Sequence, residues 1–262
     1  MERFYRVAGG STGMKKYSIR NEETDILVLS NKFLKREMQE EIEKLRGIIK
    51  AYISRNPVFR SSFEPVECKS SRQIIKLMCL SGELTGTGPM ASVAGAIVQV
   101  AGEKVFGEEE SFFLENGGDI YARMKDSFTV GIYAGNSPFS LKIGLKFHGR
   151  KEPYGIATSS GTVGHSFSYG DADAVTVVSA SAAFADGSAT HFGNMVKGTI
   201  DRETLEKEAA GFPFIEGLLV IRGSEMFAWG RIEITGIGPY SLRAFQTFSI
   251  KSHRMLQHNQ KP

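Results

Sequence analysis

SFFLENGGDIYARM, residues 111–124, is the stretch from which the architecture of this chain is most directly read. Two apolar segments, 111–115 and 120–124, flank an Asn-Gly-Gly-Asp turn, and their composition predicts two strands. Adjacent glycines let a backbone turn tightly because they tolerate positive φ. The stretch therefore predicts neighbouring strands joined by a short glycine turn.

Strand-like segments continue on both sides of this pair. Further strands are predicted over 4–7, 16–20, 25–29, 129–133, 141–147 and 174–178, and an antiparallel meander over 217–222, 226–229 and 231–235. Helical spacing predicts helices over 31–55, 71–80, 90–101 and 179–196, the first of them capped by Asn31. Together these elements predict an α+β fold of mainly antiparallel sheets with packed helices.

The chain of 262 residues contains no repeat, linker or low-complexity tract, which predicts one domain over 1–262. The segment near 252–262 is predicted to be a flexible tail, because apolar periodicity ends at Leu256. Acidic and basic residues are interspersed and the net charge is +3, so the sequence predicts no nucleic-acid partner. An oligomer whose site lies between subunits stays open.

The sequence also predicts a cytoplasmic protein that does not enter a membrane. No signal peptide is apparent, and no run of about 18 apolar residues is present. Two cysteines are too few for a disulfide scaffold and fit a reducing compartment. Cys79 lies in an apolar helical run and is predicted to pack in the core, whereas Cys68 is predicted to be an exposed thiol.

The turn between the two central strands is the first candidate binding element. Gly117 and Gly118 can present bare backbone N–H groups to a phosphate or a stacked ring, and Asp119 can accept hydrogen bonds from a ligand. Together with Asn116 they form the predicted ligand-binding turn. The alternative is an ordinary Asn-Gly hairpin turn with no ligand.

The second candidate element is ATSSGTVGHS, residues 157–166, which follows an extended segment. Its hydroxyls and free amides suit an anion or a ribityl or ribose chain, and a flexible surface loop is the alternative. His165 can act as a base or as a partner for phosphate. The predicted binding residues are Thr158, Ser159, Ser160, Gly161, Thr162 and His165.

The third candidate element is ADGSATH, residues 185–191, in the last predicted helix. Asp186 and Thr190 are four residues apart and therefore share one helix face. A carboxylate and a hydroxyl, completed by carbonyl, phosphate and water oxygens, suit Mg²⁺. A capping or buried hydrogen-bonded pair is the alternative.

These blocks, in this order, resemble the ApbE-like superfamily, whose best-known members are FAD:protein FMN transferases. Asn116-Gly117-Gly118-Asp119 matches the family's Gly-Gly-Asp turn. The segment from Thr158 to Gly161 is similar to its Thr-Ser-Gly segment, and ADGSAT, residues 185–190, to its Ala-Asp-Ala-x-Ala-Thr metal motif. GPMASVAGA, residues 88–96, further resembles a small, uncharacterised cytoplasmic branch of the superfamily.

The resemblance implies a T-fold-related domain that holds a flavin nucleotide, FAD or FMN, between the Gly-Gly-Asp turn and the Thr-Ser segment. It also implies Mg²⁺ at Asp186 and Thr190. Two family segments are absent: the transferases carry a lysine where this chain has residues 90–101, and a His-Ile-x-Asp-Pro segment where it has 167–173.

Two functions follow from this pattern. The first is binding of a nucleotide- or phosphate-bearing small molecule, with Mg²⁺-assisted transfer of a flavin or nucleotidyl group if the protein is an enzyme. The second is a non-catalytic binding or accessory protein on the same scaffold, with a role in sulfur assimilation that would involve Cys68 or Cys79.

Overall fold

The computed structural model describes residues 13–161 and 170–238. The predicted strand 4–7 and the predicted tail 252–262 lie outside these ranges. The strands within them are β1 Lys15–Asn21, β2 Thr24–Ser30, β3 Phe112–Asn116, β4 Asp119–Arg123, β5 Phe128–Gly131, β6 Ile143–Phe147, β7 Tyr154–Ser159, β8 Ala174–Ser179, β9 Ile215–Arg222, β10 Glu225–Gly230 and β11 Glu233–Gly236. The helices are α1 Lys35–Arg55, α2 Val58–Ser61, α3 Gln73–Thr85, α4 Val93–Val105, α5 Ala182–Met195 and α6 Arg202–Ala210.

Eight strands form the main sheet, in the order β1-β2-β3-β4-β7-β8-β9-β10, and every neighbouring pair is antiparallel. A smaller antiparallel sheet has the order β11-β6-β5. The predicted α+β architecture of antiparallel sheets with packed helices is confirmed.

The main sheet lies between a helical layer and the smaller sheet. Successive side chains of a strand point to opposite faces, and β3 illustrates the division. Leu114 packs in the cluster formed with the helices, whereas Phe113 packs in the cluster formed with the smaller sheet. Both faces of β3 are buried along its whole length, and its first three residues, Phe112, Phe113 and Leu114, are apolar.

Several predicted boundaries are corrected by the structure. Asn31 does not cap the first helix, because α1 begins at Lys35 and the Asn31 N–H donates to the carbonyl of Ser111 instead. A 3-10 turn, Pro89–Ser92, precedes α4, and the sequence prediction missed both α2 and α6. The predicted meander is also wrong in its last strand, because β11 leaves β10 and pairs with β6.

The two cysteines are paired with each other. Cys68, in the segment before α3, forms a disulfide with Cys79 inside that helix, and their Cα atoms are 6.1 Å apart. The prediction of an exposed free thiol at Cys68 is therefore wrong. The spacing of eleven residues does not reveal the pairing, because it depends on the segment folding back onto α3.

Candidate functional site

The Gly117-Gly118 turn joins β3 to β4 as a two-residue hairpin. Asn116 pairs with Asp119 across it, and the φ angles of Gly117 and Gly118 are 73° and 111°. Two consecutive positive φ angles belong to the tight turns that favour glycine. The hairpin alternative is therefore confirmed as the local structure, and the end of the main sheet that carries this turn is called the turn end below.

The buried carboxylate of Glu115 stabilises the turn through a hydrogen bond to its backbone. Glu115 is 2% exposed, and its Oε1 accepts a hydrogen bond from the Gly118 N–H at 3.1 Å. The sequence prediction did not include Glu115 among the site residues. The feature that could have identified Glu115 is its charge at the end of an otherwise apolar segment, because burying an unpaired carboxylate costs free energy.

The second predicted element lies directly beside the turn. β4 pairs with β7, and a Cβ built on Gly118 would lie 3.4 Å from the carbonyl oxygen of Thr158. The Thr158 hydroxyl lies 2.9 Å from the Thr176 hydroxyl on β8. The turn and the end of β7 therefore form one surface, because the antiparallel register brings Gly118 level with Thr158.

Beyond Thr158 the chain passes Ser159 and Ser160 to Gly161. The Gly161 N–H donates to the carbonyl of Ala172 at 2.9 Å, which draws this segment against the chain that enters β8. A Cβ on Gly161 would lie 2.1 Å from the carbonyl oxygen of Gly170, so only glycine fits there. Thr162 and His165, the other two predicted residues of this element, lie outside the described residues.

The third predicted element lies on α5, which crosses the helical face of β7. The two ends of α5 are in close backbone contact with other segments. At its start, a Cβ on Gly155 of β7 would lie only 2.3 Å from the Ala182 nitrogen. At its end, a Cβ on Gly170, beside Gly161, would lie only 1.9 Å from the Gly193 carbonyl oxygen. Asp186 and Thr190 lie on α5 between these contacts, so the helix carries them from the start of β7 toward the turn end.

Asp186 also binds the N-terminus of α4. Its Oδ2 accepts the Gly95 N–H at 2.9 Å, and Ala94 also donates a backbone hydrogen bond to it. Burial raises the pKa of the Asp186 carboxyl to about 7, and the two backbone hydrogen bonds lower it only in part. The capping alternative is thus present, although the carboxylate binds a different helix from its own.

The N-terminus of α4 lies against the first turn of α5. A Cβ on Gly95 would lie 2.3 Å from the carbonyl oxygen of Ala182, which begins α5. Gly102, nearer the other end of α4, packs on the Tyr121 ring of β4. The positive end of the α4 dipole therefore faces the Asp186 carboxylate, which accepts its N–H groups.

The donor atoms at Asp186 fit a hard cation. A carboxylate and, one helical turn later, the Thr190 hydroxyl are oxygen ligands of the kind that Mg²⁺ prefers. None of the causes that shift the pKa of Asp186 is a cationic side chain. In the part of the chain that the structure describes, no group of three or more His, Cys, Asp or Glu side chains could hold a metal ion, so ligand and water oxygens would have to complete the coordination.

His191 has a different role from its neighbours on α5. Its Nε2 lies 2.9 Å from Glu208 Oε1 on α6, and its ring packs at 5.1 Å from that of Phe212. This pair ties α5 to α6 and directs the imidazole away from Asp186. The sequence could not reveal the partner because α6 itself was not predicted.

The opposite end of the main sheet, where β7 and β9 begin, contains a cavity of about 420 Å³ that no motif indicated. This region is called the cavity end below. Arg150 and Glu216 line it and form a bidentate pair with N–O distances of 2.7 and 2.9 Å. None of the predicted site residues that the structure describes contributes to its lining.

No helix among residues 13–161 and 170–238 has the length and apolarity needed to cross a bilayer.

A family model, related sequences and solved structures all give consistent results for this chain. A family model described as AbpE bacteria matches residues 8–211. UPF0280 protein MJ1526 of Methanocaldococcus jannaschii is 38% identical over 224 residues, which cover 83% of this chain and 91% of that protein.

Among solved structures, the apo form of the Pseudomonas stutzeri flavinyl transferase ApbE superposes with a TM-score of 0.56 at 15% identity, covering 82% of this chain and 93% of that one. A variant of the flavin transferase ApbE from Vibrio cholerae gives a TM-score of 0.54 at 14% identity, covering 88% and 99%. At these identities the likeness concerns the fold, and it supports the predicted ApbE-like α+β architecture.

Proposed function

The chain belongs to the family described as AbpE bacteria, and from this premise we propose that it binds a flavin nucleotide, FAD or FMN, at the turn end of the main sheet. The observation that carries the proposal is the contact between Gly118 and Thr158, which joins two of the three predicted elements into one surface. Solved relatives of the same fold are described as flavin or flavinyl transferases.

The surface offers the groups that a phosphate-bearing ligand needs. Gly117 has no side chain, so a ligand can approach its backbone closely. Ser159 is half-buried at the end of β7, where its hydroxyl can accept or donate a hydrogen bond.

In this proposal Asp186 and Thr190 hold Mg²⁺ together with phosphate oxygens of the ligand and water. The ion would neutralise pyrophosphate charge and support phosphoryl-type transfer. The protein's own contribution is to keep the Asp186 carboxylate fixed, and the Gly95 N–H does this through its 2.9 Å hydrogen bond. Asp119 would hydrogen-bond the ligand from the turn.

A second candidate function is binding without transfer, and the packing of α4 favours it. A Cβ on Gly95 would lie 2.3 Å from the Ala182 carbonyl oxygen. The start of α4 is therefore packed closely against the start of α5. No lysine occurs in residues 90–101, where the transferases that the sequence resembles carry one. The version of this function that requires a free Cys68 thiol is not proposed, because Cys68 is paired.

Calorimetric titration of the full chain with FAD, with MgCl₂ or with EDTA, tests the proposed binding. We expect FAD to bind with micromolar affinity in MgCl₂ and about tenfold more weakly in EDTA, the effect of losing one charge-assisted contact. Asp186→Asn should abolish the difference between the two conditions. Asp201→Asn, which alters an exposed cap on α6, is the matched control and should leave it intact.

The outcomes separate binding from turnover. No FAD binding at high micromolar protein in either condition would exclude the proposed site. Binding should also weaken in Asp119→Asn, since the turn would lose its anionic acceptor. Incubation of the complex with Mg²⁺ followed by chromatography then reports hydrolysis: release of AMP and FMN indicates cleavage of the pyrophosphate by water, and intact FAD excludes that cleavage.

A further inference from the structure

The chain path at the cavity end explains why a cavity forms there. At Gly230, whose φ is 79°, the chain leaves β10 for the smaller sheet. A Cβ on Gly230 would lie 2.5 Å from the Glu216 carbonyl oxygen, and the Arg231 N–H donates to that oxygen at 2.7 Å. The two sheets separate at this crossing, and Ile232 packs over Gly217. The space is thus a consequence of the fold rather than of loose side-chain packing.

The carboxylates that line the cavity are already neutralised. The Glu216 carboxylate accepts a hydrogen bond from each of the two terminal guanidinium nitrogens of Arg150. Glu233 accepts from Lys146 at 3.0 Å and lies 3.1 Å from His148 Nε2. Each acidic group therefore has a cationic or imidazole partner inside the same cavity.

One cation of the lining has no such partner. Across residues 13–161 and 170–238 the exposed Arg231 guanidinium makes no ion pair or hydrogen bond with any side chain. With Lys146 and Arg150 it gives three cations against the carboxylates of Glu216 and Glu233. The cavity therefore has an excess of one positive charge when His148 is neutral, and its unpaired donor lies at the surface.

The remaining wall is apolar and held rigidly. Phe147, Tyr154, Val178 and Ile232 contribute aromatic and aliphatic surface. The Arg150 guanidinium stacks 3.5 Å from the centroid of the Tyr154 ring and also donates to the carbonyls of Glu152 and Pro153. A wall fixed in this way loses little conformational entropy on binding.

We propose that this cavity is a second ligand site, which takes a small organic anion with a flat apolar body, such as an aromatic carboxylate. The apolar wall would bury the body and Arg231 would pair with the anionic group. A volume of about 420 Å³ is within the range of small-molecule sites. β7 runs from Tyr154 in this cavity to the turn end, so about 13 Å of strand separates it from the flavin surface.

Calorimetric titration of the full chain with 2-naphthoate tests the site, with 2-naphthamide as the neutral analogue and inorganic phosphate as the anion without an apolar body. We expect naphthoate to bind at least about tenfold more tightly than either. Arg231→Glu should weaken naphthoate binding by about tenfold or more. Arg60→Glu, which reverses an exposed charge on α2, is the matched control and should bind as the wild type does.

Amide chemical shifts locate the bound probe. Naphthoate should move the signals of Phe147 and Ile232 and leave those of Gly117 and Gly118 in place, and saturating FAD should not displace it. No naphthoate binding at millimolar concentration, equal binding of the amide, or equal loss in Arg231→Glu and Arg60→Glu would each overturn the proposal. Because naphthoate binding and its loss in Arg231→Glu are measured without FAD, the site can fail or succeed independently of flavin binding.

Discussion

The two ends of the main sheet each carry a bidentate arginine–carboxylate pair, and the pairs differ in how deeply they are buried. At the cavity end Arg150 and Glu216 are 24% and 19% exposed, and at the turn end Arg222 and Asp171 are 32% and 45% exposed. Arg150 also stacks on Tyr154. Arg222 instead holds the chain that enters β8, and the Gly198 N–H completes the partners of Asp171.

Recognisable sequence motifs and the cavity lie at different ends of the main sheet. The described residues of the three candidate elements lie at the turn end or on α5, the helix that leads to it. The cavity forms at the other end, from residues that no short motif connects. Charge pairing at the cavity end therefore contributes mainly to the fold, and at the turn end it positions a connection beside the proposed site.

Removing the better buried arginine should have the largest effect. Arg150→Ala leaves Glu216 half-buried without its partner and deletes the stacking on Tyr154. We expect the free energy of unfolding to fall by about 3 kcal/mol, measured by urea denaturation. Arg150→Lys keeps the positive charge but cannot make the two parallel hydrogen bonds, so its free energy of unfolding should fall by roughly half as much. A loss below about 0.5 kcal/mol in Arg150→Ala would show that the pair is not structural.

At the turn end, Asp186→Asn should change how stability depends on pH. The pKa of Asp186 in the folded state is about 7, above the value of about 3.9 for an unfolded aspartate. The folded protein therefore holds this proton more tightly, and the stabilisation is complete below pH 4 and is lost as the pH rises to 7. Relative to the wild type, Asp186→Asn should gain about 2 kcal/mol between pH 5 and pH 7.

The measurement is the difference in free energy of unfolding between Asp186→Asn and the wild type across that pH range. Asp201→Asn is the control, because hydrogen bonds from Thr204 lower the pKa of Asp201. Its contribution is lost only as the pH falls below about 4, so its difference from the wild type should be flat from pH 5 to pH 7. If the Asp186→Asn difference is flat from pH 5 to pH 7, the carboxyl is ionised throughout and its burial does not control its charge.

The smallest effect is expected for the exposed pair at the turn end. Arg222→Ala should cost about 1 kcal/mol in urea denaturation, because both side chains remain accessible to water. The pair should weaken in high salt, whereas the Arg150–Glu216 pair should respond less. If Arg222→Ala destabilises the chain as much as Arg150→Ala does, burial is not the property that separates the two ends.

Local sequence predicted the elements well where their patterns were strong. The spacing of Met38, Ile42, Leu45 and Ile49 gave α1, and all four side chains are buried. The central hairpin was predicted within one residue at each strand end. The placement of β11 failed, because its pairing with β6 depends on partners more than 80 residues away. The short α2 and the polar α6 lacked a strong apolar stripe.

Candidate site residues divided in the same way. Gly117 and Gly118 were identified because a turn with two positive φ angles favours glycine, which is a local requirement. The contact of Asp186 with Gly95 was not predicted, since 91 residues separate them and only the packing of α4 on α5 brings them together. Nothing local connects Arg150 with Glu216 or suggests an unpaired Arg231 beside them.

The α+β class, the glycine turn, the main helices and strands, and a family resemblance carried by short motifs could all be predicted from the sequence. These properties depend on backbone preference and on the periodicity of apolar side chains, both of which act between near neighbours. Tertiary structure alone decided the order of the eight strands, the disulfide, the raised pKa of Asp186 and the cavity. Each of these depends on distant segments meeting and excluding water, and local patterns do not encode such meetings.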